Sequence, residues 1–141
     1  ITSHMVFDLD LAKKHSDENP VFYLQYAHAR ISSIMREVKR EDLEPSVDNL
    51  SLLTNEHEQN LLKTLNNFKE KVLFCAENFE AHLLCNYLEE LAAAYHRFHR
   101  FCRILGTERK LAEARLAVAV ATKIVLKNGL SILGVSAPER M

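Results

Sequence analysis

His96 and His99 stand three residues apart in "AYHRFHRFCRIL", interleaved with Arg97, Arg100 and Arg103 and followed by Arg109, Lys110 and Arg115. Two imidazoles at that spacing can share a metal ion, but zinc needs further ligands, and no Cys, Glu or His pattern nearby supplies them. Asp8 and Asp10 could also ligate a metal; without a third ligand, they suit better the first turn of a helix, where the dipole favours negative charge. As a nucleophile Cys102 would need an activating base and a depressed pKa, and its place in an apolar stripe argues for an inert thiol. Three glycines in the whole chain exclude a glycine-rich phosphate loop. These residues predict no catalytic centre and no metal site. They leave a surface of cations and flat side chains, the mixture that holds single-stranded RNA loops through phosphate contacts and base stacking. Taken alone, the plainer interpretation is a solvated basic helix face.

The charge distribution sharpens the choice. Residues 1–95 carry nine Lys/Arg against sixteen Asp/Glu, whereas residues 96–141 carry nine against three, for a net charge of −1. Opposite signs in the two parts suggest an anion-binding end on an acidic body, or two parts that attract each other. The three cysteines, Cys75, Cys85 and Cys102, form no Cys-x-x-Cys pair and predict buried thiols in a reducing compartment, hence a cytoplasmic protein. The most apolar stretch, Leu116 to Leu126, is too short to cross a bilayer, and the N-terminus has no secretory pattern. No membrane partner is expected.

The elements that must present the basic surface are helical. Few Gly and Pro, with abundant Leu, Ala, Glu, Lys and Arg, predict an all-α domain. Asn19 is a good N-cap and Pro20 suits the first helical position. Apolar residues at Phe22, Tyr26, Ala29, Met35 and Val38 then predict a helix to about Val38, with Tyr23 and Tyr26 in the core. A shorter helix precedes it in "FDLDLAKKH". Residues 39–53, mixed in charge and containing a proline, predict a surface connection. Thr54 or Asn55 starts a helix through Leu65, and another spans about Phe68 to Asn78. From about Glu80 to Leu105, Leu88, Leu91, Tyr95, Phe98, Cys102 and Leu105 are spaced three, four, three, four, three, which draws one apolar stripe. His96, His99, Arg100 and Arg103 fall within an arc of about 100° beside it. The last helix, about Glu108 to Leu133, is rich in alanine and is expected at the centre of a bundle. Gly129 inside it implies a tight backbone contact, and Gly134 can take the left-handed conformation that ends it.

Three stretches carry a resemblance: "NPVFYLQYAHARISSI" at 19–34, "NYLEELAAAYHRFHRFCRIL" at 86–105, and "RLAVAVATKIVLKNGLSILGVSAPERM" at 115–141. Together they resemble the anticodon-binding helical bundle, the DALR domain, at the C-terminus of class I arginyl-tRNA synthetases. The likeness runs from Phe7 to Met141, with "QYAHAR" and the terminal "PERM" its specific motifs. It implies residues 1–18 as the junction after a catalytic domain, with "ITSH" native rather than a tag remnant, and residues 19–141 as the bundle. The family's enzyme joins arginine to its tRNA using ATP with magnesium, through an adenylate. Its "HIGH" and "KMSKS"-type motifs do not occur here, so the chain looks like a fragment that binds tRNA without catalysing the reaction or holding a cofactor. The D-loop-reading domain is likewise not in this chain.

The resemblance also implies roles. Partners are arginine tRNA, through its anticodon stem-loop, and the catalytic domain of the same synthetase, with no DNA. Met141 matches the family's C-terminal methionine near the anticodon loop. His99 stands where the family usually has a tyrosine; an imidazole can still stack or hydrogen-bond, with less apolar area and a pH-dependent charge. Arginine codons share a middle guanine, so the matching anticodon base is cytosine, and the resemblance places its pocket near His99, Arg103 and Met141, with Arg100, His96 and Arg140 beside them. Gln25, His28 and Arg30 either face the inner elbow of the tRNA or knit their helix to the bundle. The rivals are a helical protein-interaction module that kept the fold but lost RNA binding, favoured by His99, and the anticodon domain of a cysteine or glycine synthetase, against which "QYAHAR" and "PERM" argue.

Overall fold

The computed structural model describes residues 6–141; residues 1–5, the first part of the expected junction, lie outside the described residues. The described residues form six α-helices: α1 (Leu9–Lys13), α2 (Pro20–Val38), α3 (Glu56–Asn66), α4 (Phe68–Asn78), α5 (Ala81–Phe101) and α6 (Arg109–Ile132). No strand occurs among the described residues, and the expected all-α architecture is the one observed.

The helix starts follow their capping residues. Asp8 Oδ1 accepts from the amides of Asp10 and Leu11 at the head of α1, which is the helix-end role rather than the metal role for these aspartates. Asn19 accepts from the amides of Val21 and Phe22 and sets Pro20 at the first position of α2. Asn55, with Glu58, closes a capping box on α3. The α6 end has the Schellman pattern: Gly134 at φ 72°, its amide on the Ser131 carbonyl, and the Val135 amide on the Leu130 carbonyl. The exit from Gly134 aims the tail, residues 135–141, back along the bundle.

Three expectations need correction. First, the apolar stripe of α2 runs through Leu24, Ala27, Ile31, Ile34 and Val38, not through Phe22 and Tyr26. Spacings of three, four, three, four fit the helical period over the whole element, and Tyr26, on another face, is 40% exposed. Second, α5 is the central helix rather than α6. It packs against α2, α3, α4 and α6, with Leu88, Leu91, Tyr95 and Phe98 fully buried. It also ends at Phe101, so Arg103 and Leu105 stand in the turn beyond it. Third, the connection at 39–53 is not wholly superficial: it holds 3₁₀ turns at Lys39–Glu41 and Leu50–Leu52, and Leu43 and Leu53 drop into the core.

The tight contact expected at Gly129 is real. A Cβ there would stand 2.5 Å from Leu88 Cδ2, so the Leu88 side chain of α5 packs directly on the α6 backbone and would have to shift to admit a side chain at 129. Cys75 and Cys102 are buried and Cys85 half-buried, all three free. Burial pushes the Cys85 and Cys102 thiols up, as expected of inert groups.

Candidate nucleic-acid interface

A cavity of about 500 Å³ opens between α2, α5 and the tail. His99 from α5, Arg140 and Met141 from the tail, and Tyr26 and Arg30 from α2 line it. That volume is within the range of about 300–1,000 Å³ that holds small ligands, the scale of one splayed nucleotide. The three elements reach it for separate reasons. The core stripe of α2 turns residues 26, 30 and 33 outward, α5 carries His99 one residue past the buried Phe98, and the tail is folded back onto α2.

The site combines flat side chains with a net positive charge, Arg30, Arg36 and Arg140 against the one carboxylate of Glu37. His99 stacks on the buried Tyr95 ring, centroids 6.0 Å apart and planes 16° from parallel. Burial, then the nearby Arg30 guanidinium, holds its pKa below the usual 6.5, so the ring is neutral at pH 7. Arg30 Nη1 donates to Tyr26 Oη at 2.9 Å, and its guanidinium carbon lies 5.9 Å from the Tyr26 ring centroid. The Tyr26 ring stacks in turn on Phe22, 6.4 Å away and 10° from parallel. A base entering here would meet aromatic faces and guanidinium donors together, the two features single-stranded recognition needs.

The sequence-derived set divides on the structure. His99, Met141 and Arg140 share the cavity, while Arg103 meets His99 in an adjoining cleft with Ile34 and Glu37. His96 does not line the cavity. Its ring sits among Tyr23, Tyr26 and Tyr95, and burial pushes its pKa down to about 4. Arg100 is exposed and rests over Phe101, its guanidinium carbon 5.4 Å from the ring centroid. The arc of four cationic or imidazole groups is thus broken, because α5 ends before Arg103 and because His96 is drawn inward by aromatic packing.

Arg115 leaves the basic surface as well, and Arg109, though exposed, is paired. The side chain of Arg115, 14% exposed, pairs at 2.6 Å with Glu58, 1% exposed, and donates to the Arg103 carbonyl. Arg109 pairs with Glu113 and donates to the Asp42 carbonyl. Part of the charge asymmetry between the two parts of the chain is therefore spent on holding them together.

Gln25 and His28 point into the tail. Gln25 Nε2 donates to the Ser136 carbonyl (3.0 Å) and hydroxyl (3.1 Å), and His28 Nδ1 donates to the Pro138 carbonyl at 2.8 Å. Of the two roles open to the "QYAHAR" polar residues, these two knit α2 to the rest of the fold, whereas Arg30 faces the cavity. Tyr26 and Arg36 were not among the site residues expected from the sequence. A check of the stripe at 24, 27, 31, 34 and 38 would have freed Tyr26 from the core.

Among the described residues no helix is long and apolar enough to cross a membrane. A family model for the DALR anticodon binding domain matches residues 24–141. The arginine–tRNA ligase of Carboxydothermus hydrogenoformans is 49% identical over 142 residues, covering 99% of this chain and 26% of that protein. That of Salinibacter ruber is 46% identical over 140 residues, covering 99% and 25%. The solved structure of Thermus thermophilus arginyl-tRNA synthetase superposes with a TM-score of 0.82 at 33% identity, covering 96% of this chain and 23% of that one. The chain spans about a quarter of the length of the curated relatives it matches, and the matches give no support to a protein-interaction module. With a family model over most of its length and the helical bundle that model describes, the chain belongs to the DALR anticodon binding domain family.

Proposed function

We propose that this chain docks the anticodon stem-loop of arginine tRNA, with the central cytosine of the anticodon received in the cavity between α2, α5 and the tail. The parent protein is then an arginine–tRNA ligase, which uses ATP with magnesium and arginine in a catalytic domain of the same polypeptide and works in the cytoplasm. This chain alone forms no aminoacyl bond. Residues 6–18 belong to the junction with that domain.

One observation carries the reading: Tyr26, Arg30, His99, Arg140 and Met141 come from three separate parts of the sequence to line one cavity. Stacking of the base on the exposed ring faces contributes about 1–3 kcal/mol. The guanidinium groups of Arg30 and Arg140 attract phosphate and donate to base oxygens. Arg103 and Arg100, on the rim, strengthen docking through phosphate rather than choose the base. His96 supports Tyr26 and Tyr23 from behind and needs no contact with RNA.

Titrating the chain with the anticodon stem-loop, and with the same loop carrying another base at its centre, at two salt concentrations, tests this. Tighter binding of the cytosine loop, weakened by salt, is expected. Equal affinity for both loops overturns the readout, and affinity indifferent to salt overturns RNA docking.

A further inference from the structure

The cavity wall made by Arg140 and Met141 is the end of a chain with no secondary structure of its own after Gly134. Such a segment is held in place only where something ties it down. Here the ties are concentrated just before the wall. Gln25 holds Ser136, His28 holds Pro138, Arg36 Nη1 donates to the Glu139 carbonyl at 3.2 Å, and Lys123 pairs with the Glu139 carboxylate at 2.8 Å. Residues 136, 138 and 139 are fixed in turn, and 140 and 141 are left for the cavity.

His28 is the centre of this clamp. It lies 1% exposed on a core-facing turn of α2, where a leucine or an alanine would cost nothing to bury. Its partner is a carbonyl, which can only accept, so the hydrogen is on Nδ1, and Nε2 has no hydrogen-bond partner. Burial lowers its pKa from the ordinary value, against the Pro138 hydrogen bond, which raises it. A half-satisfied imidazole is poor core filling, so its one hydrogen bond to the tail is what the structure obtains from it.

We infer that Gln25 and His28 are positioning residues for the anticodon cavity: they hold the tail on α2 so that Arg140 and Met141 stand as its wall, and they act on RNA binding only through it. The inference rests on the proposed anticodon site. Its physical basis is reach. A tail tied at Pro138 leaves Met141 three residues of slack, about 10 Å, whereas one released from Gly134 onward can wander over about 20 Å. Each bound state would then carry the ordering cost of the whole tail. Arg36 and Lys123 assist at Glu139, but Arg36 also lines the cavity and so cannot separate clamping from contact.

The test compares the chain with its His28→Leu, His28→Asn and Gln25→Leu variants, and places His28→Leu also in a chain ending at Ala137. Loop affinity and amide exchange at residues 135–141 are both measured. His28→Leu is expected to weaken loop binding about tenfold and speed tail exchange, with His28→Asn, which keeps a donor near Nδ1, recovering both. In the shortened chain the same substitution should change affinity less than about twofold, since the wall it positions is already gone. An undiminished loss in the shortened chain would mean that His28 acts elsewhere, and faster tail exchange without loss of affinity would mean that tail position is irrelevant; either overturns the inference. Should His28→Leu not fold, Gln25→Leu carries the same comparison. If the unsubstituted chain itself fails to bind the loop, the anticodon reading falls and this inference with it, a result distinct from the two above.

Discussion

His99, near the end of α5, and Met141, the last residue of the chain, line the same cavity. Neither is held there by the other. His99 is fixed from behind by Tyr95, and Met141 by the tail contacts of α2 and α6. The cavity is therefore assembled from two independently anchored walls, and each can be altered without unfolding the other.

Deletion of Met141 should weaken stem-loop binding and leave the thermal midpoint nearly unchanged. The residue is 56% exposed, so little apolar burial is lost. Thermal unfolding and loop titration on the same sample check both halves. A midpoint lowered by several degrees would make the tail tip a structural element and remove it from the site.

At position 99 the size of the ring decides. His99→Ala removes the surface that Tyr95 supports and should cost about 1 kcal/mol or more in loop binding. His99→Tyr enlarges the stacking area and should bind at least as tightly as the natural chain. Since His99 is neutral at pH 7, its charge is not what it contributes, and a tyrosine variant that bound no better than alanine would show that stacking at this position is not used.

Much of the bundle was legible in the sequence because capping residues and periodicity are local. Asn19 before Pro20, Asn55 before an apolar run, and Gly134 after one mark helix ends that the structure has within a residue or two. What local pattern could not settle was which of two stripes on α2 faces inward, since the rings of Phe22 and Tyr26 offer as much apolar surface as Leu24 and Ile31 and only packing against α5 and α6 decides. The partners of Gln25 and His28 were hidden for the same reason, lying more than a hundred residues away in the tail. His99 and Met141 came from likeness to a family, and their meeting at one cavity comes from the fold.

The Glu58–Arg115 pair should behave as part of the core. Glu58 Oε2 accepts from the Asn55 amide while Oε1 accepts from Arg115 Nε, so one buried carboxylate ties the start of α3 to α6. Replacing Glu58 by alanine leaves the Arg115 guanidinium buried without a counter-charge and should cost about 3 kcal/mol of stability. Arg115→Ala should lower the thermal midpoint as well, yet leave the salt dependence of loop binding unaltered. A shallower salt slope in Arg115→Ala would return this arginine to the RNA surface.

The histidines give the fold a sensitivity to acid whose sign is set by burial. His96 is pushed down to about 4, chiefly by burial and then by the charges of Arg30 and His99, against 6.5 for an unfolded chain. Between those values the unfolded chain binds the proton and the folded one resists it, so stability is whole above about pH 6.5 and falls as pH drops toward 4. His28 and His99, also lowered by burial, contribute in the same direction. Replacing His96 by phenylalanine keeps a flat ring among Tyr23, Tyr26 and Tyr95 and removes the titrating group. The variant's thermal midpoint should therefore fall less steeply than that of the natural chain between pH 6.5 and 4, and the two curves should run parallel above pH 7. Identical slopes across the acid range would mean that His96 stays accessible to protons in the folded protein, and that its packing among the tyrosines does not exclude the charge.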